Sequence, residues 1–212
     1  MGEIIENPLF QLLTIDQRSI LHSNCSLLEF ENEEMVFKRC GMAHFVYYIE
    51  EGYLKLISKE GLYDISTCSE FVGLSYIYSE ERFNYSAVAA KGTKALQISA
   101  KIFRELMLQN TNFAIGIFNE AHKSANKMIQ RLLDYRYKNI QAVLAHFFLE
   151  YEKENLFTLE LTRKEIAEFT GYSRENITHT LKKLLEEDFI ANHTYGFEII
   201  DKEKLRNLYK NG

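Results

Sequence analysis

Glycine is spread unevenly along this chain, and that unevenness constrains the fold more than any other feature. Gly41, Gly52, Gly61, Gly73 and Gly92 punctuate the first half, whereas Gly116 stands alone between Gly92 and Gly171. Between the early glycines lie short apolar or alternating runs: Met35–Phe37, Phe45–Ile49, Tyr53–Ser58, Phe71–Val72 and Ala87–Ala90. Tyr53–Ser58 alternates most clearly, with Leu54 and Leu56 on one side and Lys55 on the other, after a turn at Glu51-Gly52. Such runs read as strands joined by tight turns, so an antiparallel β domain is predicted from about Cys25 to Ser99. Ahead of it, Leu9, Leu12, Leu13, Ile20 and Leu21 recur around Asp16 at the spacing of a short helix.

From Ala100 the period changes. Phe103, Leu106 and Met107 recur at helical spacing, and a longer helix is predicted from about Asn112 to Arg136. Ala114, Ile117, Ala121, Ser124 and Met128 step by three and four, Leu132 continues the stripe, and Phe118, Ala125 and Ile129 widen it. Small residues in that stripe admit a second helix, as in a parallel dimer seam. The same stripe could instead pack only on its own β domain. A further helix is marked by Ile140, Val143, Leu144, Phe147, Phe148 and Tyr151, and the polar run Glu152–Asn155 ends it. The plan is therefore α+β: a β domain with its short helices over 1–110, a connecting helix over 111–137 and a small domain over 138–212.

Composition removes several classes. With 26% charged residues and a net charge of −5, the chain offers no apolar stretch of the ~18 residues that span a bilayer, and no all-over basic surface. Any nucleic-acid contact must come from a local patch. Met1–Phe10 carries Glu3 and Glu6 and lacks the basic and apolar regions of a signal peptide, which predicts a cytoplasmic location with no membrane partner. Cys25, Cys40 and Cys68 are odd in number and widely spaced, as reduced thiols rather than a disulfide framework or metal knuckle. No metal site is expected. There is no Gly-rich phosphate loop, no H-E-x-x-H and no G-x-S-x-G, so no enzyme is predicted.

The most informative stretch is Leu161–Leu185. Thr162 with Glu165 forms a capping box at a helix start, Gly171 supplies the left-handed turn that ends that helix, and Ser173 can cap the next. Ala167 is small where two helices cross, while Ile166, Ile177, Leu181 and Leu184 point to a shared core, which is helix-turn-helix spacing. Arg174, Glu175, Thr178 and His179 are left outward on the second helix to meet base edges: Arg can bridge guanine O6 and N7, and Glu can accept from cytosine N4. Thr162, Ser173, Lys182 and Lys183 suit phosphate oxygens. Residues 138–212 hold 11 Lys or Arg against 13 Asp or Glu, yet Thr162–Lys183 holds five basic residues against three acidic ones. Phe189-Ile190, the turn His193–Gly196 and Phe197–Ile200 then read as a hairpin wing, followed by a short helix at Leu205–Tyr209.

With these motifs in place the chain resembles the CRP/FNR family of bacterial transcription regulators over nearly its whole length. Thr162–Ala167 and Gly171–Ile177 are similar to that family's helix-turn-helix, and Phe45–Leu56 resembles a hairpin of its cyclic-nucleotide-binding-like β-roll. The resemblance implies a homodimer held by the central helix, an effector-sensing N-terminal β-roll, and a winged domain that binds two-fold symmetric promoter DNA and contacts RNA polymerase. It assigns base contacts to Arg174, Glu175 and His179, the last replacing a frequent Arg and so losing a bidentate guanine fork.

The resemblance also locates a candidate effector pocket at Gly73, Leu74, Tyr85 and Ser86. Cyclic-AMP-binding members carry a Glu where Leu74 stands and an Arg where Tyr85 stands. A cyclic phosphate buried without its cation would lose a charge-assisted pair, so cyclic AMP in the usual pose is not expected. An iron-sulfur cluster needs four thiolates, which three scattered cysteines cannot supply. His22, His44, His122 and His146 offer imidazoles to a haem, although a lone histidine is more often a structural or surface residue. The effector is thus left unassigned. A reading of a different class is a ligand-binding module that acts through protein contacts, its DNA domain vestigial; within the family, the alternative is a haem- or redox-sensing member, the latter through Cys25, Cys40 or Cys68.

Overall fold

The computed structural model describes residues 7–78, 82–194 and 196–212; Glu3 and Glu6 of the N-terminal segment and Tyr195 of the predicted wing turn lie outside them. The chain divides into two compact units, residues 1–59 with 64–127 and residues 60–63 with 128–212.

In the first unit the single N-terminal helix expected from the leucine spacing is two helices, α1 (Pro8–Gln11) and α2 (Ile15–Ser23). The break comes from Thr14, whose hydroxyl accepts from the Gln17 N–H while the Gln17 side chain accepts from the Thr14 N–H, a reciprocal box that starts a new helix. Then follow β1 (Cys25–Phe30), β2 (Met35–Phe37), β3 (Phe45–Glu51), β4 (Tyr53–Ile57), β5 (Leu62–Thr67), β6 (Phe71–Val72), a 3-10 turn at Leu74–Tyr76, β7 (Ser86–Ala89) and β8 (Thr93–Ser99). They form two four-stranded sheets, in the orders β1-β8-β3-β6 and β2-β7-β4-β5. The expected strand limits at Cys25 and Ser99 are met by β1 and β8.

Phe45–Leu56 is not a hairpin, as the resemblance had suggested. β3 pairs with β6 and β8, β4 pairs with β7, and Gly52 carries the chain from one sheet to the other. Gly52 sits at φ 76°, and a Cβ there would fall 2.6 Å from the Thr93 hydroxyl oxygen and 2.8 Å from the Thr93 Cα. Only glycine fits so close to that backbone in that conformation. Thr93 is fully buried, accepts from the Tyr53 N–H at 3.3 Å and lies 2.8 Å from the Ala90 carbonyl, which pins the crossing. Lys55 does face away from Leu54 and Leu56, but it is buried rather than solvated and pairs with Glu33.

Two apolar clusters hold this unit. One gathers Phe37, Tyr47, Tyr76, Phe83 and Tyr85, with Phe37 and Phe83 stacked at 3.9 Å between ring centroids. The other gathers Phe10, Leu13, Leu21, Val46, Leu96 and Ile98 with Phe103 and Leu106 of α3 (Ala100–Gln109) and Phe113 and Ile117 of α4 (Thr111–Tyr137). Asn110 joins these pieces: its Oδ1 accepts from the Phe113 N–H, while its Nδ2 donates to the Leu12 carbonyl and to Gln17 Oε1.

The second unit takes the end of α4, then α5 (Ile140–Tyr151), β9 (Leu156–Phe157), α6 (Arg163–Thr170), α7 (Arg174–Glu186), β10 (Ile190–His193), β11 (Gly196–Ile199) and α8 (Lys202–Asn211). Asn139 starts α5 by accepting from the Ala142 N–H. Phe147, Phe148, Phe157 and Phe169 fill the centre at ring separations of 4.8 to 5.1 Å for the closest pairs. Among the described residues no helix is long and apolar enough to cross a membrane.

Candidate nucleic-acid interface

α6 begins as the capping box requires: the Glu165 N–H donates to Thr162 Oγ1 at 3.2 Å, and the Thr162 N–H donates to Glu165 Oε2 at 2.7 Å. It ends at Gly171, at φ 77°, whose N–H returns to the Ala167 carbonyl at 2.9 Å. Ser173 then accepts from the Asn176 N–H and opens α7. Ile177, Thr180, Leu181 and Leu184 form the buried side of α7, with Ile166, Ala167 and Phe169 buried on α6.

The opposite side of α7 presents Arg174, Glu175, Thr178, His179 and Lys182, all exposed, with Lys183 half-buried at its flank. Among the described residues, the side chains of Arg174, Glu175 and His179 make no hydrogen bond or ion pair, so each keeps its full donor or acceptor capacity. Thr178 differs: its hydroxyl donates to the Arg174 carbonyl at 2.8 Å, which leaves a methyl group and an acceptor oxygen to offer a base edge. Lys182 and Lys183 stand 3.5 and 3.8 Å from Glu186 and Glu187, one turn on. These exposed pairs are weak and release their cations readily to a phosphate.

Thr162 does not fit the role of phosphate donor read from the sequence. Its N–H donates to the Glu165 carboxylate, and its hydroxyl lies 2.8 Å from the same oxygen, so both donors already have an acceptor. Ser173 uses its oxygen as acceptor and keeps its hydroxyl hydrogen available.

The wing is a real hairpin, in register from Ile190↔Ile199 to His193↔Gly196, but it has a third strand that sequence reasoning missed. β9 pairs with β11 through Phe157↔Phe197 and Leu156↔Glu198. The Arg163 guanidinium, also missed, lies over the Phe197 ring at 5.6 Å and ties the start of α6 to the wing.

In the first unit the phenol of Tyr85 is within hydrogen-bond reach of the Gly73 backbone, while Ser86 and Leu74 have other neighbours. Tyr85 is 8% exposed, and its ring packs among Phe37, Tyr76 and Phe83; burial, then the nearby Tyr76 and Asp64, push its phenol well above the usual range. Ser86 accepts from the Arg39 N–H at 2.9 Å. Gly73 precedes the 3-10 turn that Leu74 opens, and Leu74 lines a separate cavity of about 280 Å³ with Glu70, Phe71, Glu120, Lys123, Ser124 and Lys127. Cys25 is half-buried, and desolvation followed by the Glu50 charge raises its thiol, which disfavours the reactive thiolate. Among the described residues no group of three or more His, Cys, Asp or Glu side chains could hold a metal ion.

The α4 stripe is rotated from its expected position. Ile117 is 2% exposed and belongs to the core of its own unit, so it faces inward and not toward a second helix. Ala114, Ala121 and Met128 are half-buried, and Ser124 and Leu132 are exposed. The large apolar side chains left open on α4 are Ile115, Phe118, Ile129, Leu132, Leu133 and Tyr137. Four of these, with His122, Ala125 and Arg136, form an exposed row, Ile115, Phe118, His122, Ala125, Ile129, Leu132 and Arg136, whose steps alternate three and four.

Comparison with known proteins agrees with this architecture. Residues 27–110 match the model of the cyclic nucleotide-binding domain, and residues 144–208 match the Crp-like helix-turn-helix domain. The cAMP-activated global transcriptional regulator CRP of Salmonella typhimurium is 21% identical over 184 residues, covering 81% of this chain and 88% of that protein. Among solved structures, FixK2 of Bradyrhizobium japonicum superposes with a TM-score of 0.77 at 15% identity, covering 87% of this chain and 96% of that one. A CRP-family transcriptional regulator of Thermus thermophilus gives a TM-score of 0.72 at 15% identity, over 87% and 97% of the two chains. A nucleotide-binding-type β domain, a long helix and a Crp-type helix-turn-helix in this order place the chain in the CRP/FNR family of DNA-binding transcription regulators.

Proposed function

We propose that this chain binds a palindromic promoter site as a homodimer, inserting α7 into the major groove and using RNA polymerase as its further partner. The observation that carries this reading is the outward face of α7, where Arg174, Glu175 and His179 stand exposed and unengaged on a helix fixed by caps at both sides of its turn. A helix that only closed a hairpin would have no need of free, unpaired base-reading side chains in that row.

The second copy is assigned to the exposed row of α4. Seven positions from Ile115 to Arg136 follow a strict heptad, and the flanking positions Asn119, Ala121, Asn126, Met128 and Leu133 carry no charge. A seven-residue apolar repeat is the spacing that another α-helix meets by knobs-into-holes packing, and two copies in parallel close it by a two-fold axis.

Selection from random duplexes followed by titration tests the DNA reading. The wild-type dimer is expected to recover a palindrome with half-sites about one helical turn, ~34 Å, apart. Arg174→Ala and Glu175→Ala should each lose roughly 1–3 kcal/mol at one base step and relax the preference there, whereas Lys183→Ala should weaken all sequences alike and reduce the salt slope by about one. Equal, sequence-independent losses in all three variants would put the wrong face of α7 on the bases. Failure to recover any palindrome would favour action through protein contacts.

The signal does not enter as cyclic AMP in the usual pose. Tyr85 and its aromatic neighbours supply no cation for a cyclic phosphate, and Leu74 supplies no ribose acceptor. Calorimetry with cyclic AMP is expected to give no saturable heat; micromolar binding at one site per subunit would overturn this.

A further inference from the structure

A second cavity of the first unit, of about 400 Å³, lies at the start of α3 and shares no lining residue with the one beside Leu74. Three pieces of chain wall it, and hydrogen bonds fix them to one another. The segment Met42–Phe45 is tied to α3 where the Ala100 N–H donates to the His44 carbonyl at 2.9 Å, next to the Phe45↔Ser99 pair of β3 and β8. The 3-10 turn that carries Tyr76 is held by Arg104 of α3, whose Nη1 donates to the Ile77 carbonyl at 2.9 Å. A cavity framed in this way is formed before any occupant arrives, and its volume lies in the range of small-molecule sites.

The lining combines apolar surface with cations. Met42 and Phe45, 46% and 39% exposed, and the buried Tyr76 supply the apolar part, and Lys101 and Arg104 supply the cations. Among the described residues no carboxylate lines this cavity, and the Lys101 side chain makes no hydrogen bond or ion pair. Arg104 has given one N–H to the Ile77 carbonyl and keeps the others of its guanidinium for a ligand. Such a surplus of positive charge runs against the chain as a whole, which holds 30 acidic residues against 25 Lys or Arg. It also differs from the cavity beside Leu74, where Lys123 meets Glu120 at 2.7 Å and Lys127 meets Glu70 at 3.3 Å.

We propose that this cavity binds a small organic anion, a carboxylate carried on a flat apolar body, and is a ligand site of the β domain apart from Gly73, Leu74, Tyr85 and Ser86. A guanidinium offers paired N–H groups that match a planar carboxylate, and the Lys101 ammonium adds a point charge beside it. The apolar body would cover Met42 and Phe45, which otherwise stay in water. A neutral molecule of the same shape leaves both cations without a counter-charge, and a bare anion leaves the apolar lining wet, so the ligand needs both halves. The assignment uses neither the DNA reading nor the dimer reading.

Titration of the isotope-labelled full chain with benzoate, benzamide and acetate at constant ionic strength, followed by amide chemical shifts, tests this. Benzoate should saturate with a Kd of about 10 mM or tighter, the range for a ligand of its size, and should move the amides of Met42–Phe45 and Ser99–Arg104. At equal concentration benzamide and acetate should each occupy the site roughly 10-fold less, for want of the charge and of the apolar body. Arg104→Gln should weaken benzoate roughly 10-fold, and Lys101→Gln, at an exposed position, roughly 3-fold. Circular dichroism checks that both variants stay folded; if Arg104→Gln does not, Lys101→Gln carries the test. No saturable shift with benzoate, shifts centred on other segments, equal occupancy by benzamide, or folded variants that bind benzoate as the wild type does would each overturn the assignment.

Discussion

Replacing Ile129 and Leu132 together with Glu is expected to turn the dimer into a folded monomer that no longer holds a palindromic site. Both side chains are open in the protomer, Ile129 at 52% and Leu132 at 66% exposure, so a charge there costs the monomer little. In the dimer each would lose the burial of a large aliphatic side chain, about 1.5–3 kcal/mol apiece, from both copies at once. The deficit is therefore about 6 kcal/mol or more before the facing carboxylates repel one another, which is over ~10⁴-fold in the dimer dissociation constant. Loss of the dimer should abolish cooperative binding to two half-sites while a single half-site is still read weakly. Sedimentation that finds an unchanged dimer would remove the exposed row from the interface. Ile117→Glu makes the contrast: Ile117 is packed with Phe103 and Phe113 in the core, so the same charge there should unfold the first unit.

That contrast shows what the sequence could and could not convey. Two apolar rows lie side by side on α4, Ala114-Ile117-Ala121-Ser124-Met128 and Ile115-Phe118-His122-Ala125-Ile129, and both have helical spacing. Which one faces the chain's own core depends on Phe10, Leu13 and Phe103, residues remote in sequence whose positions no local pattern gives. The α6–α7 turn was legible for the opposite reason. Thr162, Glu165, Gly171 and Ser173 act through backbone groups no more than four residues away, so their spacing alone specifies the structure.

Other features fall between these extremes. The strands of the β domain announced themselves by alternation, but alternation does not say which strands share a sheet; the placement of β3 and β4 in different sheets follows from the close approach of Gly52 to Thr93. β9 has two residues, too few for any periodicity, and exists because β11 offers it an edge. At Tyr85 the family resemblance implied the loss of a cation but not what surrounds the residue in its stead. The surroundings, the packed rings of Phe37 and Phe83, bring together residues from β2 and the segment before β7.

The other large expected effect lies in the second unit, at Arg131. Its guanidinium is 6% exposed, 3.0 Å from the Tyr151 hydroxyl, 3.8 Å from the Glu150 carboxylate and 4.6 Å above the Phe169 ring. Glu150 is itself only 9% exposed, and His146 stands 3.8 Å from its other oxygen. A long apolar substitute such as Met fills much the same space but removes the cation beside a buried carboxylate. Arg131→Met is therefore expected to cost about 3–5 kcal/mol, which is the range for breaking a buried ion pair from one side. Arg131→Met with Glu150→Met should recover a good part of that loss, because removing both charges also removes their desolvation. Chemical denaturation of the wild type, both single variants and the double variant gives the coupling directly. Strict additivity of the two single losses would mean that Arg131 contributes through its stacking on Phe169 and its bond to Tyr151, and that the carboxylate beside it carries none of the energy that holds the end of α4 to α5.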